Sequence, residues 1–184
     1  QAALYGKFYW DAHAYDDLVA RAEAGPVWRD ARQEIYAAPF YEQRWYGTDP
    51  FSRQFGGSIH YSRTLSPNWQ MYAAWQSGYK QHNERTFLNG ASHTGSLTLL
   101  YRQQPRLRHI INISVQRRNY RGPDIFNIRR RDPEYFTRLA LSHNRLSWKG
   151  FTPRLNWTWS HIHSNHFYYR YNNHRVFLDI FKQF

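Results

Sequence analysis

Between Phe151 and Ser160 apolar and polar side chains alternate, with Phe151, Pro153, Leu155, Trp157 and Trp159 on one set of positions and Thr152, Arg154, Asn156, Thr158 and Ser160 on the other. Period two predicts a strand with one apolar face. A helix would put Arg154 and Thr158 on a stripe with Phe151 and Leu155 and would have no amphipathic face. The same alternation recurs over 106–118 (Leu107, Ile111, Ile113 and Val115 against Asn112, Ser114, Gln116 and Arg118), 94–102, 69–80 and 135–143. Weaker versions lie at 4–11, 17–24, 31–43 and 55–63, and the chain ends on a strand-like segment, 175–184. About ten strands at close, regular spacing predict an antiparallel meander.

Breaks between the strands add a second regularity. Gly25-Pro26, Ser66-Pro67-Asn68, Gln104-Pro105 and Trp148-Lys149-Gly150 read as tight turns, and the stretches 45–54, 81–93, 119–134 and 162–173 as longer polar loops, so short and long connections alternate. Transmembrane β-barrels have this asymmetry, with short periplasmic turns and long extracellular loops. The terminal Phe184 resembles a barrel assembly signal, with Ile180, Leu178 and Val176 on its face and Lys182 interrupting that face.

Composition alone points toward a nucleic-acid binder: 25 Lys+Arg against 13 Asp+Glu, a pI near 10.1 and a mean hydropathy of -0.85. No segment approaches the roughly 18 apolar residues of a membrane helix. Barrel strands need only about 9–11 residues of alternating character, so low hydropathy does not exclude them. The 8 Trp, 15 Tyr and 12 Phe decide between these readings, because a barrel places aromatic belts at both membrane interfaces. A soluble β-sandwich would instead fill its buried face with Val, Ile and Leu. With no cysteine, disulfides and thiolate metal sites drop out.

Several segments, in order, carry a more specific signal: Pro39-Phe40-Tyr41-Glu42-Gln43-Arg44-Trp45-Tyr46-Gly47, Tyr120-Arg121-Gly122-Pro123, Ile128-Arg129-Arg130-Arg131-Asp132, Gly150-Phe151-Thr152-Pro153-Arg154-Leu155, Ser164-Asn165 with Phe167-Tyr168, and Arg175-Val176-Phe177-Leu178. Together they resemble the C-terminal barrel domain of the surface lipoprotein assembly modulators. The resemblance implies a bacterial outer-membrane protein with a periplasmic tetratricopeptide-repeat domain followed by a fourteen-stranded barrel, which delivers lipoproteins, or related haem-binding proteins, to the cell surface. On this reading residues 1–184 are the C-terminal portion of the barrel, the repeat domain lies upstream, and the C-terminus is periplasmic. The implied partners are a surface lipoprotein client, outer-membrane lipid and lipopolysaccharide, and the barrel-assembly machinery during insertion. No cofactor and no nucleic acid is expected. A small channel and an adhesin are the alternative functions.

Candidate residues follow from the alternation. Arg32, Glu34, Arg44, Arg102, Arg118, Arg138, Arg154, Asn156 and Asp179 are expected to face a polar lumen, since a charge on the lipid face costs about 2–4 kcal/mol at mid-bilayer. Pairing of these arginines with Glu34, Glu42 and Asp179 is the structural reading of the same residues. With Phe151 set near Phe184, Asp179 falls opposite Asn156 and diagonal to Arg154. Arg121, Arg129, Arg130 and Arg131 are expected in an extracellular loop, where guanidinium groups suit lipopolysaccharide phosphates. His161, His163, His166 and His174 cluster without Cys or acidic companions, and no metal site is assigned. No nucleophile motif or convergent acid–base set is present, so no enzyme is expected.

Overall fold

The computed structural model describes residues 2–7, 16–47, 49–103 and 107–182. They form an all-β antiparallel sheet of β1 (Ala2–Lys7), β2 (Asp17–Glu23), β3 (Val27–Arg29), β4 (Gln33–Tyr46), β5 (Asp49–Ser66), β6 (Trp69–His82), β7 (Gly90–Gln103), β8 (Leu107–Pro123), β9 (Arg129–His143), β10 (Phe151–Ile162) and β11 (Tyr171–Lys182). Strand order follows chain order, with β2 and β3 both paired to β4, so the eleven strands make a meander of ten ribbons. β1 and β11 stand at the two ends of this order, and the sheet is not closed. No helix among the described residues is long and apolar enough to cross a membrane, which says nothing of strands.

Alternation sorts the side chains onto two faces, as predicted, and the cross-strand registers carry the sorting across the sheet. One face presents Ile59, Leu97, Ile113, Leu139, Leu155 and Leu178, each between 38% and 66% exposed. Aromatic side chains flank this band on the same face: Trp28, Trp69, Tyr101 and Phe151 toward one end, Tyr41, Phe55, Trp75, Tyr79, Tyr135 and Trp159 toward the other. Trp69 and Tyr79 lie ten residues apart on β6, about 34 Å along the strand. At a barrel-like tilt that spans about 26 Å, close to the height of a barrel's apolar band. The few buried apolar side chains, Val19, Tyr36, Ala38, Phe40, Leu100 and Ala140, belong to the opposite, polar face. That face is concave: a cavity of about 390 Å³ touches both Glu23 on β2 and Thr98 on β7. An apolar exterior around a polar, concave interior is the wall of a β-barrel.

Four local expectations change. Gly25-Pro26 is an interruption of one ribbon instead of a turn, because β2 and β3 continue each other along β4 and Pro26 has no N–H for the ladder. A Cβ at Gly25 would lie 1.9 Å from the Ala37 carbonyl oxygen, so the chain can pass there only as glycine. The turn comes at Asp30–Arg32, where the Asp30 carboxylate accepts from the N–H groups of Arg32 and Gln33. The stretch 45–54, read as a long loop, is a tight hairpin: Tyr46 pairs with Asp49, and Gly47 has φ 62°. Conversely, Lys149-Gly150 is a tight turn with positive φ at both positions, but it sits inside the longer connection 144–150. Short and long connections therefore do not alternate strictly. The connections 83–89, 124–128 and 163–170 still gather at one end, with Gly47 beside them, and both ends of the described chain point the other way.

The β10–β11 register differs from expectation by two residues. Phe151 pairs with Lys182 and Arg154 lies directly opposite Asp179, while Asn156 faces Phe177. Val176, Leu178 and Ile180 share the apolar face, 69%, 66% and 66% exposed. Phe184, expected to complete that set, lies outside the described residues.

Candidate functional site

The polar face carries two charged zones separated by small side chains. Toward the end where β10 begins and β11 finishes, Arg154 grips Asp179 with both arms, Nε to Oδ1 at 2.9 Å and Nη2 to Oδ2 at 2.5 Å. Asn156, fully buried, accepts at Oδ1 from Arg138 Nε (3.0 Å) and Nη2 (2.6 Å) and donates from Nδ2 to the Arg154 carbonyl. Asp179 also lies 3.9 Å from Arg138, so one carboxylate serves two guanidinium groups. Arg108 and Arg102 pair across β7 and β8 on the same face with no acidic partner among the described residues.

A second zone lies beneath the long connections. Arg44 forks Asp17 at 2.7 and 2.5 Å and lies over the Phe51 ring. Arg21 packs on Phe40 at 4.3 Å, contacts Glu23 at 2.9 Å and Glu42 at 3.8 Å, and donates to Gln76 at 3.2 Å across β4 and β5. Phe40 in turn rests on the glycine pair Gly56 and Gly78, where a Cβ would come within 2.9 Å of its ring. A cavity of about 410 Å³ opens here among Arg44, Gln54, Lys80, Gln116 and Arg118. Arg118 also reaches Glu134 at 3.1 Å. Between the zones Ala74, Ser96, Thr98, Asn112 and Ser114 leave the wall smooth.

Above this cavity two connections are clasped together. Arg130 lies between the rings of Tyr120 at 4.0 Å and Tyr169 at 3.8 Å and faces Asp132 at 2.9 Å. His166, 1% exposed, accepts the Tyr168 N–H at Nδ1 and places Nε2 3.3 Å from Asp124. Burial works against ionisation of Asp124. The N–H groups of Ile128 and Phe126 and the charges of His166 and Arg130 outweigh it and hold the carboxyl below the usual range. Asn165 accepts from the Arg131 N–H at 2.8 Å and donates to the Arg129 carbonyl at 3.0 Å.

Of the expected lumen-facing residues, Glu34, Arg44, Arg102, Arg118, Arg138, Arg154, Asn156 and Asp179 lie on the polar face. Arg32 does not: it occupies the exposed turn after β3, because the true turn falls there and not at Gly25-Pro26. The expected basic loop is mostly strand, with β8 running to Pro123 and β9 starting at Arg129. Arg121, Arg129 and Arg131 are exposed, but Arg130 is not available to an outside ligand, its side chain being 12% exposed between two tyrosines. Of the acids expected to pair, Glu34 takes Arg29, Glu42 lies 3.8 Å from Arg21 and Asp179 takes Arg154, while Arg44 pairs with Asp17 and Arg118 with Glu134. Asp17, Arg21 and Lys80 were missed, although odd positions in 17–23 and even positions in 70–82 carry them onto the polar face.

The segments that set this chain apart in sequence are those that build these features: Pro39–Gly47 supplies Phe40, Glu42 and Arg44, while Tyr120, Arg130, Asp132 and Asn165 form the clasp. The family profile of the surface lipoprotein assembly modifiers matches residues 1–111 and 107–184. Surface lipoprotein assembly modifier 1 of Haemophilus influenzae is 29% identical over 226 aligned positions, covering 97% of this chain and 47% of the relative. A surface lipoprotein assembly modifier of Pasteurella multocida is 24% identical over 243 positions, covering 100% and 48%, and modifier 1 of Neisseria meningitidis 24% over 222 positions, covering 97% and 46%. The chain spans about half the length of the curated relatives it matches, and their alignments are longer than its 184 residues, so they carry internal segments that it lacks. No solved structure matches it. With the family profile matched from one end to the other, the chain belongs to the surface lipoprotein assembly modifier family.

Proposed function

We propose that this chain is part of the wall of an outer-membrane β-barrel that serves as a translocator, delivering lipoproteins, or related haem-binding exported proteins, to the bacterial cell surface. The observation that carries the reading is the combination of family membership with an exterior that only an apolar medium can cover: Ile59, Leu97, Ile113, Leu139, Leu155 and Leu178 form one continuous exposed band between two aromatic belts. Hydrocarbon takes that band, lipid headgroups take the belts, and the barrel-assembly machinery inserts the strands. The C-terminus faces the periplasm and the long connections face outward, as in other barrels.

The concave face then lines the route. Its arginines are mostly paired, which keeps the wall charged on both sides of the small-residue zone without a large net field. The client is a lipoprotein chain, and the role involves neither catalysis nor nucleic acid. Protease shaving of intact cells tests the reading. Deleting the gene is expected to protect a co-expressed surface lipoprotein from external protease, and re-expressing the full-length protein to restore cleavage. Unchanged exposure of every candidate client would reject translocation, and ion conductance without a client in planar bilayers would favour a channel.

A further inference from the structure

We propose that His93, Arg117, Arg131 and His163 form a binding site for the phosphate of a membrane lipid headgroup on the outer surface of the wall; this rests on the membrane-barrel reading above. The registers bring these side chains together. His93 on β7 lies directly opposite Arg117 on β8. Arg131 on β9 pairs with Asn119 and is therefore diagonal to Arg117. His163, just past β10, donates its N–H to the carbonyl of Pro133, which is the partner of Arg117 on β9. Opposed positions have Cβ atoms about 5 Å apart and diagonal ones about 7–8 Å, within reach of one phosphate for two arginines.

All four residues are exposed, and they share the face of the apolar band. Among the described residues, neither the Arg117 nor the Arg131 guanidinium has a hydrogen bond or ion pair, unlike Arg44 and Arg154 on the other face. No acid on β6 through β11 shares their face: the carboxylates of these strands are Asp132, Glu134 and Asp179, all on the polar face. The aromatic belt supports the cluster from below. His93 stacks on Trp75 at 6.5 Å, and His163 contacts His161, which stacks on Tyr135 at 6.3 Å and Trp159 at 6.0 Å. Trp75, Val115 and Tyr135 are 48%, 44% and 40% exposed and form an apolar shelf leading into the band.

An unneutralised pair of forks suits a phosphate dianion bidentately, and the shelf suits the acyl chains attached to it. That combination selects an amphiphile over a soluble anion. The exposed histidines and Trp belt place it at headgroup depth, where aromatic side chains settle.

The test uses the full-length protein in nanodiscs of neutral phosphatidylcholine, titrated with a diphosphorylated glycolipid, its dephosphorylated counterpart, and inorganic phosphate. Wild type should bind the phosphorylated glycolipid in preference to both others. The double variant Arg117→Gln/Arg131→Gln should lose at least about tenfold in affinity. Arg131→Lys, which keeps the charge and loses the fork, should fall between. Arg53→Gln, elsewhere on the outer surface, should leave binding unchanged. Equal binding of the dephosphorylated lipid, unaltered binding by the double variant, or an equal loss from Arg53→Gln would overturn the site. Inorganic phosphate binding as tightly as the glycolipid would overturn the lipid as its ligand. Heat-modifiable migration and protease protection of the wild type in vesicles are measured alongside. Failure to insert rejects the membrane reading, whereas insertion without phosphate dependence rejects only this site.

Discussion

Replacing Asp179 with Asn isolates the electrostatics of the polar face. The carboxylate accepts two bonds from Arg154 and lies 3.9 Å from Arg138, and its loss leaves both guanidinium groups beside each other with only Asn156 between them. Exposure sets the magnitude. An exposed pair contributes about 0.2–1 kcal/mol, and breaking a buried one costs about 3–5 kcal/mol. The side chains here are 22% and 32% exposed and doubly hydrogen-bonded, so the loss should fall between, at about 1–2 kcal/mol. Urea unfolding of the full-length protein in phospholipid vesicles measures it. A double-mutant cycle with Arg154→Gln separates the pair from its surroundings. The double variant should be no less stable than Asp179→Asn alone, because removing Arg154 removes the charge left unpaired. A coupling below about 0.3 kcal/mol would refute both the pairing and the register that puts the two residues opposite each other.

The remaining predictions concern the clasp and the sheet. Tyr169→Ala removes one of the two rings holding Arg130; cation–π contacts of this kind contribute about 1–2 kcal/mol, so limited proteolysis should cut faster within 163–170 while strand content by circular dichroism stays the same. Because the Asp124 carboxyl is held below its usual range, its contribution to the clasp is complete above the unfolded value of about 3.9 and lost as pH falls through the lower folded value. Protease sensitivity of 124–128 should therefore rise on acidification below about pH 4, and Asp124→Asn should show that sensitivity at every pH. Gly56→Ala places a Cβ 2.0 Å from the Ser77 carbonyl oxygen, forcing β5 and β6 apart, so the yield of heat-modifiable barrel should drop sharply relative to the neighbouring Gly57→Ala, whose Cβ meets nothing closer than 3.9 Å.

What could be read from sequence was whatever depends on one strand alone. In 151–160 each residue's face follows from parity, so Arg154 and Asn156 fall on the polar side without knowledge of any neighbour. Register is a property of two strands and their connection. The 163–170 segment folds through a 3₁₀ turn at Phe167–Tyr169 with His166 as its cap, which sets Arg154 against Asp179 and cannot be counted back from the chain end. Arg130 misled for the same reason: its sandwich needs Tyr169, thirty-nine residues later and on another connection. At 45–54 the polar run reads as a long loop, yet Asp49 and Pro50 open β5, and Gly56 further along that strand leaves room for Phe40. Gly25-Pro26 failed in the opposite direction, since a breaking dipeptide can interrupt a ribbon without reversing it.

The two family matches overlap at residues 107–111, the first residues of β8, and the Haemophilus influenzae relative has 226 aligned positions for 184 residues. At least 42 of its residues therefore lack a counterpart, and the meeting of the two family matches at 107–111 makes the β7–β8 connection the expected place for such a segment. A meander tolerates only certain losses there. Removing one strand would reverse the direction of every later strand and exchange the two ends of the sheet, carrying the clasp to the wrong side. Removing a hairpin preserves both direction and face. The length agrees, because β8, β9 and their connection occupy residues 107–143. Inserting the relative's segment between Gln103 and Leu107 should thus leave the connections 83–89 and 163–170 at the same end of the sheet. Single cysteines replacing the exposed Glu84 and Phe167, labelled in vesicles with a membrane-impermeant maleimide, check it: both should react from the same side with and without the insert. Reaction of the two from opposite sides once the insert is present would mean that an odd number of strands separates this chain from its relatives.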